Sequence, residues 1–261
     1  SRSHAPKPKL SRGGVMPARC AFSRCACSVV VALPALLAFG CQSVKPLPTA
    51  PTSCEASDSK EVRVYFGCGC FWHVQHEFIK EEITSLCRQD SQLSARTAYA
   101  GGLRTDGGLV CYHNSEDKAD YGTLGHSEVV ALDIPEDEFE AFAGRFWSLC
   151  PGGRRQDAQD TGGEYRSVVG LPGGMDSPLM AQLRQSADSV ELVGGKGDER
   201  DTLGTGSVYV YDTADFPAHV AEKYHQFHDD MMASYGRHYN SLRKWATATS
   251  CPGDGSLVQI S

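Results

Sequence analysis

The chain has 261 residues, a formal net charge of −7 at pH 7 and 41% hydrophobic residues. The charge is unevenly placed: residues 1–60 hold eight Lys or Arg against Glu55 and Asp58, whereas residues 61–261 hold 17 basic and 30 acidic side chains. An acidic body with no basic stripe argues against a nucleic-acid or anionic-membrane binder, and about 200 residues suffice for one sizeable core.

In chain order, Met16 is a candidate initiator, followed by Arg19 and Arg24 and by an apolar run from Ala26 to Gly40 broken by Pro34. That run is shorter than the roughly 20 residues needed to cross hydrocarbon, so it predicts a secretory or organelle-directing leader, with a cytoplasmic location if the leader is not functional. Pro46 to Ser59 is rich in Pro, Ser and Thr and reads as linker. The division is therefore a leader and disordered linker over 1–60 and a folded domain over 61–261 ending in a flexible tail around Pro252-Gly253. Of the eleven cysteines, Cys20, Cys25, Cys27, Cys41 and Cys54 precede the domain; Cys68, Cys70, Cys87, Cys111, Cys150 and Cys251 lie within it. Their irregular spacing in a domain of this size predicts no structural staples.

Val62, Val64 and Phe66 alternate as in a strand, and Phe71, Val74, Phe78, Ile79, Ile83 and Leu86 recur with helical spacing. Arg96 to Gly102 leads into a glycine-rich loop, and Ser127 to Ile134 is a strong strand closed by Pro135. Glu136 to Cys150 is an amphipathic helix stopped by Pro151-Gly152-Gly153. Tyr165 to Leu171 and Ser207 to Tyr211 predict two further strands, Ser177 to Ala187 and Phe216 to Met232 two further helices. This alternation predicts an α+β, two-layer domain of sheet and packed helices.

Cys70 stands where the first strand becomes the first helix. Free backbone N–H groups and the positive end of the helix dipole there predict a depressed thiol pKa and a nucleophilic thiolate, with Phe71 and Trp72 as an apolar wall. Glu128 lies one residue into an otherwise apolar strand, where desolvation keeps a carboxyl group protonated.

Gly69-Cys70-Phe71-Trp72, Tyr99-Ala100-Gly101-Gly102, Gly125 to Val130, Gly162 to Ser167 and Ala221 to Gln226 occur together in this order. These motifs resemble those of the A-type peptide methionine-S-sulfoxide reductases, over roughly Glu61 to Asp230. The resemblance implies a mixed, ferredoxin-like sheet with helices packed on it. It also implies thiol-dependent reduction of the S epimer of free or peptide-bound methionine sulfoxide without cofactor or metal; nothing in the sequence demands more than a monomer. By the same resemblance Cys70 is the nucleophile, Glu128 the acid, Tyr165 with Tyr112 the oxygen-side donors, and Asp160 a member of their network. Tyr112 sits about four residues too far from Glu128, which leaves Tyr121 as fallback. Phe71, Trp72, Gly101 and Gly102 would line the substrate pocket. A second thiol then condenses with the Cys70 sulfenic acid, and thioredoxin or a similar dithiol reduces the product. Cys251 in the tail is the first candidate for that thiol and Cys68 the second.

The chain departs from the family pattern at His73, where glycine is usual and where an imidazole could tune Cys70. It departs again at Gln75 and Glu164, where glutamate and glutamine are usual. Two other readings stand beside the enzyme: a zinc site built from Cys68, Cys70, His73 and His76, and a domain that binds methionine sulfoxide without turnover.

Overall fold

A computed structural model of the protein describes residues 58–185, 187, 189–230 and 233–254, so the leader lies outside the described residues. Strand β1 (Glu61–Gly67) is central. It alternates faces as its sequence does: Val62, Val64 and Phe66 join the large core, while Tyr65 joins a smaller cluster on the other face of the sheet. Strand β3 (Ser127–Pro135) pairs antiparallel with β1, Glu61 opposite Pro135 and Phe66 opposite Val130. Strands β2 (Arg96–Ala100), β4 (Val168–Leu171), β5 (Glu191–Gly194), β6 (Ser207–Asp212) and β7 (His219–Val220) complete an open, mixed sheet in the order β5-β6-β4-β1-β3-β2-β7. The pairs β4–β6 and β5–β6 are parallel, and the others antiparallel.

Helices α1 (Phe71–Ser85) and α2 (Phe139–Leu149) supply the apolar stripe that meets β1 and β3: Phe78 stacks on Phe66 at 4.9 Å, and Phe146 lies 5.3 Å from the same ring. A short α3 (Met180–Gln185) packs behind α2, where the Trp147 indole N–H donates to the Leu183 carbonyl at 3.0 Å. Among the described residues, no helix is long and apolar enough to cross a membrane.

The sequence expectation fails at Phe216 to Met232. In place of a helix the chain forms the edge strand β7, whose Val220 pairs with Ala98, then one 3₁₀ turn at Lys223–His225. The apolar spacing there is satisfied by sheet pairing, and a left-handed Phe227 (φ 55°) turns the chain away. The C-terminal helix instead lies further on, at α4 (Arg237–Ser241).

The cysteines give the second correction. Cys68 is bonded to Cys150 and Cys111 to Cys251, and Cys87 is also disulfide-bonded. The residues expected to form a loose tail are thus tied down: Cys251 is 6% exposed and packs with Cys111 and Ala119. Spacing in sequence says nothing of pairing, because a bridge requires only that two Cβ atoms meet in space.

Candidate active site

The site forms at the end of the sheet where β1 exits and its antiparallel neighbours β3 and β4 enter. Three successive peptide N–H groups anchor the exit. Gly69 N donates to Tyr165 O (3.2 Å), Cys70 N to Asp160 Oδ2 (2.9 Å), and Phe71 N to Glu128 Oε2 (2.9 Å). Gly69 has φ +77°, and a Cβ there would stand 2.9 Å from Asp160 Oδ2, so glycine is needed on both counts. Cys70 is the N-cap of α1 and the free cysteine among the described residues.

The thiolate expected from the helix terminus does not follow. Burial pushes the Cys70 thiol up, the Glu128, Asp230 and Asp160 carboxyl groups push it further, and the Trp72 backbone N–H only partly opposes them. The donors that would hold a thiolate at Cys70 and Phe71 are occupied by side-chain carboxyl groups. The substrate-free site therefore carries a protonated thiol.

Glu128 is buried at 3% exposure. Desolvation raises its pKa to about 8, with Asp160 and Glu164 adding to the effect, against hydrogen bonds from Phe71 N and the Tyr121 hydroxyl. At neutral pH it is mostly a neutral acid. Burial, then Glu128, pushes the Tyr112 phenol up to about 12 and the Tyr165 phenol higher, so both keep their protons. The two tyrosines considered upstream of Glu128 divide the space. Tyr112 lines the cavity, whereas the buried Tyr121 donates to Glu128 Oε1 and Glu164 Oε2, each at 3.4 Å.

A cavity of about 580 Å³ brings together Cys70, Phe71, Trp72, Tyr112, Glu128, Asp160 and Tyr165, with Cys68 and His73 also on its wall. Trp72 stacks on His228 at 4.4 Å and on His225 at 5.8 Å. The sequence offers His225 inside the Ala221 to Gln226 motif and, with His228, as a repeat of the His73–His76 interval in the zinc reading, but gives it no place in the reductase site. His225 lines the cavity at 4% exposure with no hydrogen-bond partner for Nδ1, and burial lowers its pKa to about 4, so it is a neutral imidazole at neutral pH. Asp157 and Asp230 also reach the cavity and carried no motif signal.

Other sequence candidates lie elsewhere. Gly101 and Gly102 do not line the cavity. Gly101 O accepts from Arg166 Nη2 (2.9 Å) and Gly102 N donates to His126 Nδ1 (3.2 Å), which makes this loop a support. Arg166, 1% exposed, also donates to Gly125 O and Gly163 O and to the Tyr211 hydroxyl, tying three glycine turns together behind the site. Cys251 is held away by its bond to Cys111. The four zinc candidates do not form a ligand set: Cys68 is in a disulfide, and His76 stacks on Tyr235 at 3.8 Å with its Nδ1 on Glu77. Among the described residues the converging group of metal-capable side chains is Cys111, Glu222 and Cys251, and its two sulfurs are bonded to each other. His73 Nδ1 lies 3.2 Å from the Tyr235 hydroxyl. Gln75 has a structural explanation: buried, it donates to Ala95 O and accepts from Phe227 N and the Tyr239 hydroxyl, a pattern a carboxylate could not complete.

No protein-family model matches the chain. Among curated proteins it is similar to the peptide methionine sulfoxide reductase MsrA of Geobacter sulfurreducens, 30% identical over 107 residues, which are 40% of this chain and 57% of that one. The MsrA of Methanothermobacter thermautotrophicus is 31% identical over 114 residues, 42% of this chain and 59% of that one. The chain thus spans less than three-fifths of the length of the curated relatives it matches. Among solved structures it resembles methionine sulfoxide reductase A of Corynebacterium diphtheriae (18% identity, TM-score 0.41, 74% of this chain and 78% of that chain). It also resembles reduced Mxr1 of Saccharomyces cerevisiae (15% identity, TM-score 0.42, 77% of this chain and 94% of that chain). The chain is related, as a divergent relative, to the A-type peptide methionine sulfoxide reductases.

Proposed function

We propose that the protein is a thiol-dependent oxidoreductase that reduces the S epimer of methionine sulfoxide, free or within peptides, through Cys70. One observation carries this reading: a free thiol, a neutral buried carboxyl and an aromatic wall share one cavity. Phe71 and Trp72 receive the S-methyl group, while Glu128, Tyr112 and Tyr165 face the oxygen. Reduction of a sulfoxide by one thiol needs no net proton: the sulfoxide loses its oxygen, Cys70 becomes a sulfenic acid, and the thiol proton is conserved in that S–OH group. Glu128 gives its proton to the oxygen as the sulfur is attacked and regains one from the thiol. A protonated resting thiol is compatible with this stoichiometry. It makes attack conditional on a bound sulfoxide that draws the proton away.

Asp160 holds the Cys70 backbone and is a positioning residue. The physiological reductant is a dithiol of thioredoxin type, and the open mixed sheet is of the ferredoxin-like kind that the sequence motifs imply. Five of the six cysteines in the folded domain are disulfide-bonded, which supports an oxidising compartment, in keeping with the leader expected over 1–60.

The test is turnover of separate S and R epimers of a methionine sulfoxide peptide with dithiothreitol, beside the Cys70→Ser variant. S-selective turnover lost in the variant is expected. No turnover by folded protein, with sulfoxide peptide still bound, would leave the binding-only reading in its place.

A further inference from the structure

The resolving step needs a second thiol, and the tail cysteine expected to provide it is bonded to Cys111 in a separate apolar cluster. The other disulfide is placed differently. Cys68 lines the same cavity as the free Cys70 and is 7% exposed, while its partner Cys150 is fully buried at the C-terminal end of α2. Extending the β1–β3 register two residues beyond Phe66–Val130 brings position 68 level with Glu128, the proposed acid. Two residues of chain span at most about 7 Å, and the left-handed turn at Gly69 shortens this. The Cα atoms of Cys68 and Cys70 therefore fall within the separation that a disulfide spans. Ser167 Oγ lies 3.5 Å from Cys68 Sγ and 3.6 Å from Cys150 Sγ, so either sulfur, once a thiolate, has a hydroxyl beside it.

We propose that Cys68 and Cys150 are the dithiol that resolves Cys70, a role that rests on the reductase reading above. With the pair reduced, the Cys68 thiolate attacks the sulfur of the Cys70 sulfenic acid. The S–O bond breaks, the oxygen leaves with a proton as water, and a Cys68–Cys70 disulfide forms. The eleven-membered ring that this disulfide closes through Gly69 is small and strained, which makes the bond a good target for exchange. The Cys150 thiolate then attacks Cys68 Sγ, the Cys68–Cys70 bond breaks, and Cys70 takes up a proton as it leaves. The state reached is the one observed: Cys70 free and Cys68 bonded to Cys150. An external dithiol reopens that bond, is itself oxidised to a disulfide, and attacks from the cavity at Cys68, because Cys150 is sealed from solvent.

The test starts from the full chain as isolated. Limiting dithiothreitol, followed by alkylation and mass mapping, should open Cys68–Cys150 before the other bridges. The chain with that bridge open, freed of reductant and given a methionine-S-sulfoxide peptide, should release about one methionine per chain, re-form Cys68–Cys150 and leave no sulfenic acid for dimedone to trap. The same chain with the bridge closed should release methionine equally but carry a dimedone adduct on Cys70. Cys150→Ser should stop at the Cys68–Cys70 disulfide. Equal dimedone labelling with the bridge open or closed, a Cys70 link to Cys111 or Cys251, or prior opening of Cys111–Cys251 would overturn the relay while leaving the reductase intact. Failure of every form to release methionine would overturn the reductase reading and the relay with it.

Discussion

Replacing Glu128 by glutamine separates catalysis from stability in a way few substitutions do. The carboxyl is buried and its pKa is raised from 4.5 to about 8. Below the unfolded pKa the group is protonated in both states and folding is unaffected by it. As pH rises past that value the unfolded chain ionises while the folded chain resists, so Glu128 progressively destabilises the fold until the folded pKa is passed. At about 1.4 kcal/mol per pKa unit, the penalty amounts to about 3 kcal/mol at pH 7 and about 5 kcal/mol above pH 8. Glutamine keeps an oxygen for the Phe71 N–H and never ionises. Glu128→Gln should therefore match the parent protein near pH 4 and exceed it by about 3 kcal/mol at pH 7, read by urea unfolding at both pH values. Its turnover should fall by about 10²–10³, because the amide has no proton to give. The parent's turnover should decline above about pH 8 as Glu128 ionises, a limb absent from the residual activity of the variant. Equal stability gains at both pH values would refute the claim that Glu128 is a desolvated acid, and full activity in the variant would remove it from the mechanism.

Trp72→Ala removes the ring stacked on His228 and His225 and one wall of the methyl pocket; KM should rise about 5–10-fold with a smaller change in kcat, measured by steady-state kinetics. Gly69→Ala forces a side chain into a left-handed position against Asp160, and the misplaced Cys70 should cost about tenfold or more in kcat while peptide affinity changes little. Arg166→Met leaves the Gly101, Gly125 and Gly163 carbonyls without their buried donor, and denaturant unfolding should show a loss of about 3 kcal/mol or more.

What the sequence determined by itself is local. Alternation in Val62, Val64 and Phe66 and helical spacing from Phe71 onward place Cys70 at a strand-to-helix junction, because side-chain periodicity is a property of neighbouring residues. The position of Glu128 inside an apolar strand already indicates a desolvated carboxyl, since burial on both faces of β3 follows from Val129, Val130 and Leu132 around it. Other features depend on segments far apart in the chain, and only the tertiary structure decided them. Phe216 to Val220 has apolar spacing that a helix or a strand could use, and the free edge of β2 made it a strand. Cys68 and Cys150 are separated by 82 residues and Cys111 and Cys251 by 140, so no reading of spacing pairs them. The thiol shows the same limit most sharply. The helix terminus at Cys70 favours a thiolate, but burial outweighs it, and carboxyl groups from Glu128, Asp230 and Asp160 add to that effect. A cysteine's place in the sequence indicates which backbone donors stand nearby, while its ionisation is set by every charge and every layer of protein that folding brings around it.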